Sequence, residues 1–369
     1  MASDPAPART VREGLRVHVS ADLRRRNTFG LPAHAPLLIE LSDAADLPRV
    51  FDDPRFEPGK VLMLGGGSNL LFAGDSPWPV LALTGTRIEM RWLDRDRAIV
   101  RADAGVSWHA LVMHTLDAGL AGLENLALIP GTTGAAPIQN IGAYGVELHE
   151  RIHAVDVHEP ATGRTRRLDA LECGFAYRDS LFKREPDRFI VTAVEFALAR
   201  SMPLRPGYAG ITEQLARTGV IEPTARDVAD AVIAVRRAKL PDPALIGNAG
   251  SFFKNPIVGP SQAEVLSVRH PHLPMYPIAG DSTARRSGDH ASPTARSKLS
   301  AAWMIEACGW KGHRHGDAGV SPDHALVLVN HGGASGEQML ALARSIARSV
   351  QETFDVAIEP EPRLVGAIW

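Results

Sequence analysis

Cysteine is scarce: Cys173 and Cys308 are the only two in 369 residues. They lie far apart and show no metal-ligand spacing, which argues against a disulfide framework and a cysteine-built metal centre. Both are expected as small core residues in a reducing cytoplasm, and no metal is expected. Net charge is nearly absent too, with 40 Lys and Arg against 42 Asp and Glu. That balance leaves no electrostatic footprint for nucleic acid. The Arg24-Arg25-Arg26 cluster reads as solvated surface. Long apolar runs are missing. The longest uncharged stretch, Asn125 to Val146, is interrupted by Pro130, Gly131, Gly134, Pro137, Gly142 and Gly145. It makes a poor membrane span, so no membrane insertion is expected. Met1 to Thr10 is rich in Ala and Pro and lacks a signal-like apolar core. It is expected to begin a loose tail over residues 1–20. A soluble cytoplasmic monomer is the resulting expectation.

What is present is the composition of a globular protein, 45% hydrophobic and 22% charged. The length allows two or three domains. Val61 to Leu64 reads as a buried strand running into a glycine turn, and Val80 to Leu83 and Ala98 to Ala102 as further strands. Trp108, Leu111, Val112, Thr115 and Leu116 recur at helical spacing, with Gly119 as a cap. Strands are expected at Ala154 to Val157 and Phe189 to Phe196, and a helix at Asp227 to Arg237. The prolines and glycines of Met202 to Gly210 suggest a domain junction. Gly280 to Ser297, polar and rich in Ser, Arg and Ala, reads as a mobile surface loop. Ala301, Met304, Ile305 and Cys308 share a helical face closed by Gly309. Ala325 to Val329 reads as a buried strand. Ser335 with Gln338 predicts a capping box, and Val356 to Ile358 a last strand. Alternating strands and helices indicate an α/β or α+β protein without internal repeats.

Three segments could carry chemistry. Gly65-Gly66-Gly67-Ser68-Asn69 and Gly131-Thr132-Thr133-Gly134-Ala135, the latter after Pro130, are glycine-rich turns whose N–H groups can hold phosphate oxygens. Neither ends like a P-loop, and neither fits the dinucleotide fingerprint. Taken together, and beside the small-residue run Gln139-Asn140-Ile141-Gly142-Ala143-Tyr144-Gly145, they favour a large phosphorylated cofactor. The third segment is Gly247-Asn248-Ala249-Gly250-Ser251-Phe252-Phe253-Lys254-Asn255-Pro256. It reads as a glycine-rich turn that sets the Ser251 hydroxyl beside two aromatics. A proton donor, a nucleophile and an ordinary core turn are all open readings. Arg178 after Tyr177, Tyr208 after Gly207, Lys239 before Leu240-Pro241, and Glu361 between prolines also sit in rigid contexts. Each has an ordinary structural reading: a surface ion pair, packing at a junction, a solvated helix end, an acidic turn.

Taken in order, these segments resemble the UDP-N-acetylenolpyruvoylglucosamine reductase (MurB) family. The likeness covers Asn27 to Gly366. It rests on Asn27-Thr28-Phe29-Gly30, Gly65 to Asn69, Ile129 to Gly145 and Tyr177-Arg178-Asp179-Ser180, then on Lys239-Leu240-Pro241-Asp242-Pro243, Asn248 to Pro256 and Glu359-Pro360-Glu361. Gly207-Tyr208 is similar to the version of the family with an added tyrosine-bearing loop. The resemblance implies an α+β fold. An FAD-binding region of the vanillyl-alcohol oxidase/PCMH type would occupy 21–200, as two α/β subdomains split near 75–85. A C-terminal α+β substrate-binding domain would follow over 201–369.

The resemblance also implies an activity. NADPH would reduce FAD, and the flavin would pass hydride to the enolpyruvyl ether of a UDP-sugar, giving UDP-N-acetylmuramate. Arg178 would stabilise the enolate-like charge. Glu361 would work with it, given a proton or a shared hydrogen bond. Ser251 would donate the final proton to the adjacent carbon. Gly65 to Asn69, Pro130 to Ala135, Gln139, Asn140, Gly142, Ala143 and Gly145 would hold FAD without a covalent bond; His34 alone is weak grounds for one. Tyr177, Tyr208, Lys239 and Asn255 would contact the substrate or NADPH. Two departures stand out: 280–297 is longer than usual for the family, and Ser321 stands where relatives with the tyrosine loop often have histidine. Another flavin oxidoreductase on the same scaffold, or a non-catalytic nucleotide-binding protein, are the competing expectations.

Overall fold

In the computed structural model, residues 11–12, 14–278 and 296–369 are described. The expected tail therefore lies outside the described residues up to residue 10, as does most of the expected loop at 280–297. The remainder of the tail is a correction: Leu15–Asp22 is a strand, paired with His34–Leu41. Val17 and Val19 give it β-branched residues that favour a strand, although Val19 is exposed. Ser297 likewise opens the strand Ser297–Leu299.

Contacts divide the chain into two units. The first runs to Asn27 and takes in Pro32–Ser68 and Asp75–Lys239; the second is Thr28–Leu31, Asn69–Gly74 and Leu240–Trp369. The boundary is thus at Lys239, not at the expected 201. The cause is visible in the packing. The helices Ala209–Arg217 and Ala225–Lys239 place Ile211, Val228 and Val232 in the same core as Trp108, Val155 and Phe196. A junction rich in proline leads here to a helical hairpin of the same unit.

The first unit holds two five-stranded sheets. One contains Leu15–Asp22, His34–Leu41, Val80–Leu83 and Leu62–Met63, with Val80–Leu83 parallel to both of its neighbours. The other runs Arg164–Leu168, Ile152–Glu159, Ile190–Ala199, Arg97–Asp103, Ile88–Trp92, antiparallel throughout. The division between the sheets, after Leu83 and before Ile88, falls at the end of the expected 75–85. The helix Trp108–Asp117 buries Trp108, Leu111, Val112, Thr115 and Leu116, as its spacing predicts. Gly119 follows at a φ of 76°, a left-handed stop.

The second unit is built around the antiparallel order Gly247–Ser251, Val327–Asn330, Ala318–Val320, Arg314–His315. The helix Gly336–Phe354 packs Met339, Ala343, Ile346 and Val350 inward and carries both bonds of the Ser335/Gln338 capping box. Val356 and Ile358 are buried, but residues 356–358 form no strand; Arg363–Val365 does, parallel to Leu70–Phe72. Among the described residues, no helix is long and apolar enough to cross a membrane. Cys173 is fully buried, and burial, helped by Asp169 and Glu172, pushes its thiol up to about 12. It keeps its proton and acts as core.

Candidate active site

In the first unit, the two glycine loops meet. A methyl on Gly66 would lie 2.9 Å from Gly131 Cα, and one on Gly65 would lie 2.6 Å from Thr132 Oγ1. Ser68 Oγ donates to Pro130 O at 3.0 Å. Only bare backbone allows this approach, which explains the glycines. Thr133 and Gly134 anchor the second loop from behind. Thr133 N–H and Oγ1 donate to Val106 O at 2.8 and 3.1 Å, and Gly134 N–H donates to Ala104 O at 2.9 Å. The loops form a cradle that side chains would fill, and such close-approach backbone suits the diphosphate of a dinucleotide. Gly66→Ala is therefore expected to give protein with at least tenfold weaker FAD affinity and an unchanged far-ultraviolet circular dichroism spectrum. Wild-type retention of flavin on gel filtration would contradict this.

The small-residue run continues the cradle. Gly142–Ala143 and Val146–Glu147 pair as a hairpin, with Tyr144 and Gly145 at φ values of 50° and 80°. Two consecutive positive φ values make this a tight two-residue turn. Asn140 is fully buried and spans three anchors: its Nδ2 donates to Ala176 O and Glu147 Oε2, and its Oδ1 accepts from His149 N–H. Its side chain is thus engaged in holding the run. Gln139 is partly buried beside it.

Those anchors also place Arg178. Ala176 and Asp179 exchange backbone bonds at 3.0 and 3.1 Å, leaving Tyr177 and Arg178 at the tip of a turn, with Arg178 at a φ of 54°. The guanidinium lies 5.3 Å from the Tyr177 ring centroid. Its Nη2 donates to Gly142 O at 2.6 Å. Ser180 Oγ donates to Ile138 O at 2.6 Å and caps the following short helix. The motif Tyr177 to Ser180 is therefore tied along the cofactor-type run.

The tyrosine loop belongs to the same unit. Tyr208 is half exposed, and its ring meets Tyr144 edge-on at 5.3 Å. Arg205 Nη1 donates to Gly145 O at 2.9 Å, and its guanidinium also pairs with Glu150. Buried Asn125 joins the carbonyls of Tyr144 and Arg205 at 3.0 and 2.9 Å. Lys239, the last residue of its helix, comes near the helix that follows Tyr208: a methyl on Gly210 would be 3.8 Å from its Nζ. Sequence reasoning missed Tyr144 as a residue of its own, along with Asn125 and Arg205. The signal was available for Tyr144, an aromatic at a turn position that demands positive φ.

In the second unit, Ser251 and Glu361 come together on paired backbone. Glu361 N–H donates to Phe252 O at 2.8 Å, and Lys254 N–H donates to Glu359 O at 3.0 Å. Lys254 Nζ reaches Glu359 Oε2 at 3.1 Å. Phe252 is fully buried against Phe29, and Phe253 against Trp369, so the two rings peg the segment from below. Gly247–Ser251 is a strand, not the expected turn. Its register against Val327–Asn330 slips between Asn248 and Ser251, where Gly250 has a φ of 67°. Such a bulge re-aims the residue that follows, here Ser251. Asn69, expected with the first glycine loop, donates from Nδ2 to Glu361 O at 3.3 Å and accepts at its own carbonyl from Arg363 N–H. Asn255 Oδ1 accepts from Ala301 N–H at 3.0 Å. Ser321, the departure noted above, is buried and accepts from Asp323 N–H.

The family models give the class of protein, a flavin-binding oxidoreductase. Residues 35–169 match the FAD binding domain family model, and 242–365 match that of the UDP-N-acetylenolpyruvoylglucosamine reductase C-terminal domain. Relatives bearing the name UDP-N-acetylenolpyruvoylglucosamine reductase include a Xanthomonas axonopodis pv. citri protein. It is 50% identical over 97% of this chain and 99% of its own length. A Xylella fastidiosa relative of the same name is 51% identical over 96% and 97%. The crystal structure of MurB from Thermus caldophilus superposes with a TM-score of 0.63 at 25% identity, covering 95% of this chain and 98% of that one. The chain belongs to the UDP-N-acetylenolpyruvoylglucosamine reductase family.

Proposed function

We propose that the protein reduces UDP-N-acetylenolpyruvoylglucosamine to UDP-N-acetylmuramate, with NADPH as reductant and non-covalent FAD as hydride carrier. It would act as a cytoplasmic monomer supplying peptidoglycan precursor, and through it cell-wall growth and division. The observation that carries this reading is the pairing of the Ser251 and Glu361 segments through Glu361 N–H and Phe252 O. A hydroxyl and a carboxyl from distant sequence are thereby fixed on neighbouring backbone.

When bound, the flavin supplies the hydride. The chain supplies electrostatics and a proton. Arg178 presents a fixed guanidinium to the charge that develops on the carboxylate side of the enolpyruvyl group. Glu361 shares the hydrogen bonding of that group. Ser251 delivers a proton to the carbon beside the carboxylate; serine is a weak acid, but a carbanionic intermediate is a strong base. Lys239, Tyr208 and Asn255 meet the diphosphate of substrate or nicotinamide nucleotide, and Tyr177 contacts the substrate. For Asn255, the donors left by its bond to Ala301 suit phosphate oxygens. Binding both nucleotides in turn at one flavin predicts ping-pong kinetics.

Anaerobic titration tests the whole reading. NADPH should bleach the flavin absorbance, and the enolpyruvyl UDP-sugar should restore it without oxygen. A flavin that recovers only on admission of oxygen would point to an oxidase. Protein that stays colourless with added FAD would point to a non-catalytic nucleotide-binding protein.

A further inference from the structure

Leu128 sits just ahead of the Pro130–Ala135 loop in a left-handed conformation, with a φ of 58°. For a branched residue that backbone is strained by about 1–3 kcal/mol, so something must hold it. Both faces of the residue are held. Its N–H donates to His109 Nδ1 at 3.1 Å, and its carbonyl accepts from Arg236 Nε at 3.2 Å. The same helix start fixes the residues on either side. Trp108 Nε1 donates to Leu126 O at 2.8 Å, and Trp108 N–H donates to Gly131 O at 3.1 Å. The stretch 126–131 is thus stapled to two consecutive residues, with His109 at the strained point.

We propose that His109 is a positioning residue for the flavin: its neutral imidazole grips Leu128 N–H opposite Arg236 and so sets the path of the cofactor loop. The inference rests on the FAD-binding reading of that loop. A ring nitrogen can accept only while it carries no proton, so the grip requires the tautomer protonated at Nε2. The surroundings favour the neutral ring. Burial first, then Arg237 and Arg236 of the Ala225–Lys239 helix, hold the His109 pKa below the ordinary imidazole range. These two arginines are the charged groups facing His109, and the Tyr144 phenol faces Arg236 from the hairpin. Protonation would place a donor against a donor and release Leu128. The contribution is therefore present above the lowered pKa and lost as pH falls through it.

The test is FAD affinity of deflavinated protein, read by quenching of flavin fluorescence between about pH 5 and 8. At the upper end, His109→Ala should bind FAD about tenfold more weakly than wild type. His109→Asn, whose Oδ1 stands close to the position of Nδ1, should recover most of that loss. With falling pH, wild type should weaken toward the alanine value while the asparagine variant stays level. Wild-type affinity in His109→Ala, or parallel pH profiles for wild type and His109→Asn, would overturn the proposal. If wild type itself fails to bind FAD, the cofactor reading falls and this inference with it. Should His109→Ala fail to fold, the wild-type and asparagine profiles still decide.

Discussion

Ser251→Ala is expected to leave reduction of the flavin by NADPH close to the wild-type rate and to slow its reoxidation by the enolpyruvyl UDP-sugar by about 10³-fold. The size follows from what a positioned general acid contributes, about 10²–10⁴. The selectivity follows from chemistry: no proton from serine is needed until hydride has reached the substrate. The structure fixes the backbone that carries the hydroxyl. The bulge at Gly250 turns Ser251, while Phe252 and Phe253 are locked in the core beneath it. Removing one oxygen leaves those supports in place. Stopped-flow measurement of the two half-reactions decides the matter. Equal slowing of both would show that Ser251 shapes the site without donating a proton.

Arg178→Lys is expected to lower kcat by about 10²-fold with no loss of flavin. Removing a single charge-stabilising donor typically costs 10²–10³, and lysine keeps the charge but not the planar fork. One arm of that fork already holds Gly142 O at 2.6 Å, which fixes the orientation of the rest. A flexible ammonium cannot anchor there and reach a carboxylate in a set direction as well. The variant should retain its yellow colour and thermal midpoint, because Asn140 and Ser180 tie the neighbouring turn independently. Wild-type turnover would remove Arg178 from the mechanism.

Much of this was legible in sequence because it follows local rules. Trp108 to Leu116 announces a buried helical face, and Ser335 with Gln338 a capping box; both form as read. The glycine loops were legible as a pair, and their contact at Gly66 and Gly131 gives the reason for their composition. What was not legible depends on distant partners. Gly247–Ser251 has no β-branched residue and reads as a turn, yet it is a strand. Its small residues serve close packing: a methyl on Gly247 would lie 2.1 Å from Phe29 O. Val356 to Ile358 has the composition of a strand and buries Val356 and Ile358, yet it finds no ladder. Burial sets composition, and pairing depends on which edge is open. The proline-rich stretch at 202–210 marked a junction between chain textures, and only the packing of Ile211 and Val228 shows that the unit continues beyond it.

The strand pairing of Leu70–Phe72 with Arg363–Val365 bears on how the protein is made. Residues 69–74 emerge early from the ribosome, but their partner strand emerges only after the whole intervening chain. This two-stranded pairing therefore cannot form until residues 363–365 have been made, and its early segment stays unpaired until then. Topologies with such remote contacts fold slowly. A fragment starting at Leu240 would also lack that segment and Thr28–Leu31, both of which belong to this unit. Supplying the two missing pieces in trans, rather than trimming the boundary, is the route to a folded second unit on its own.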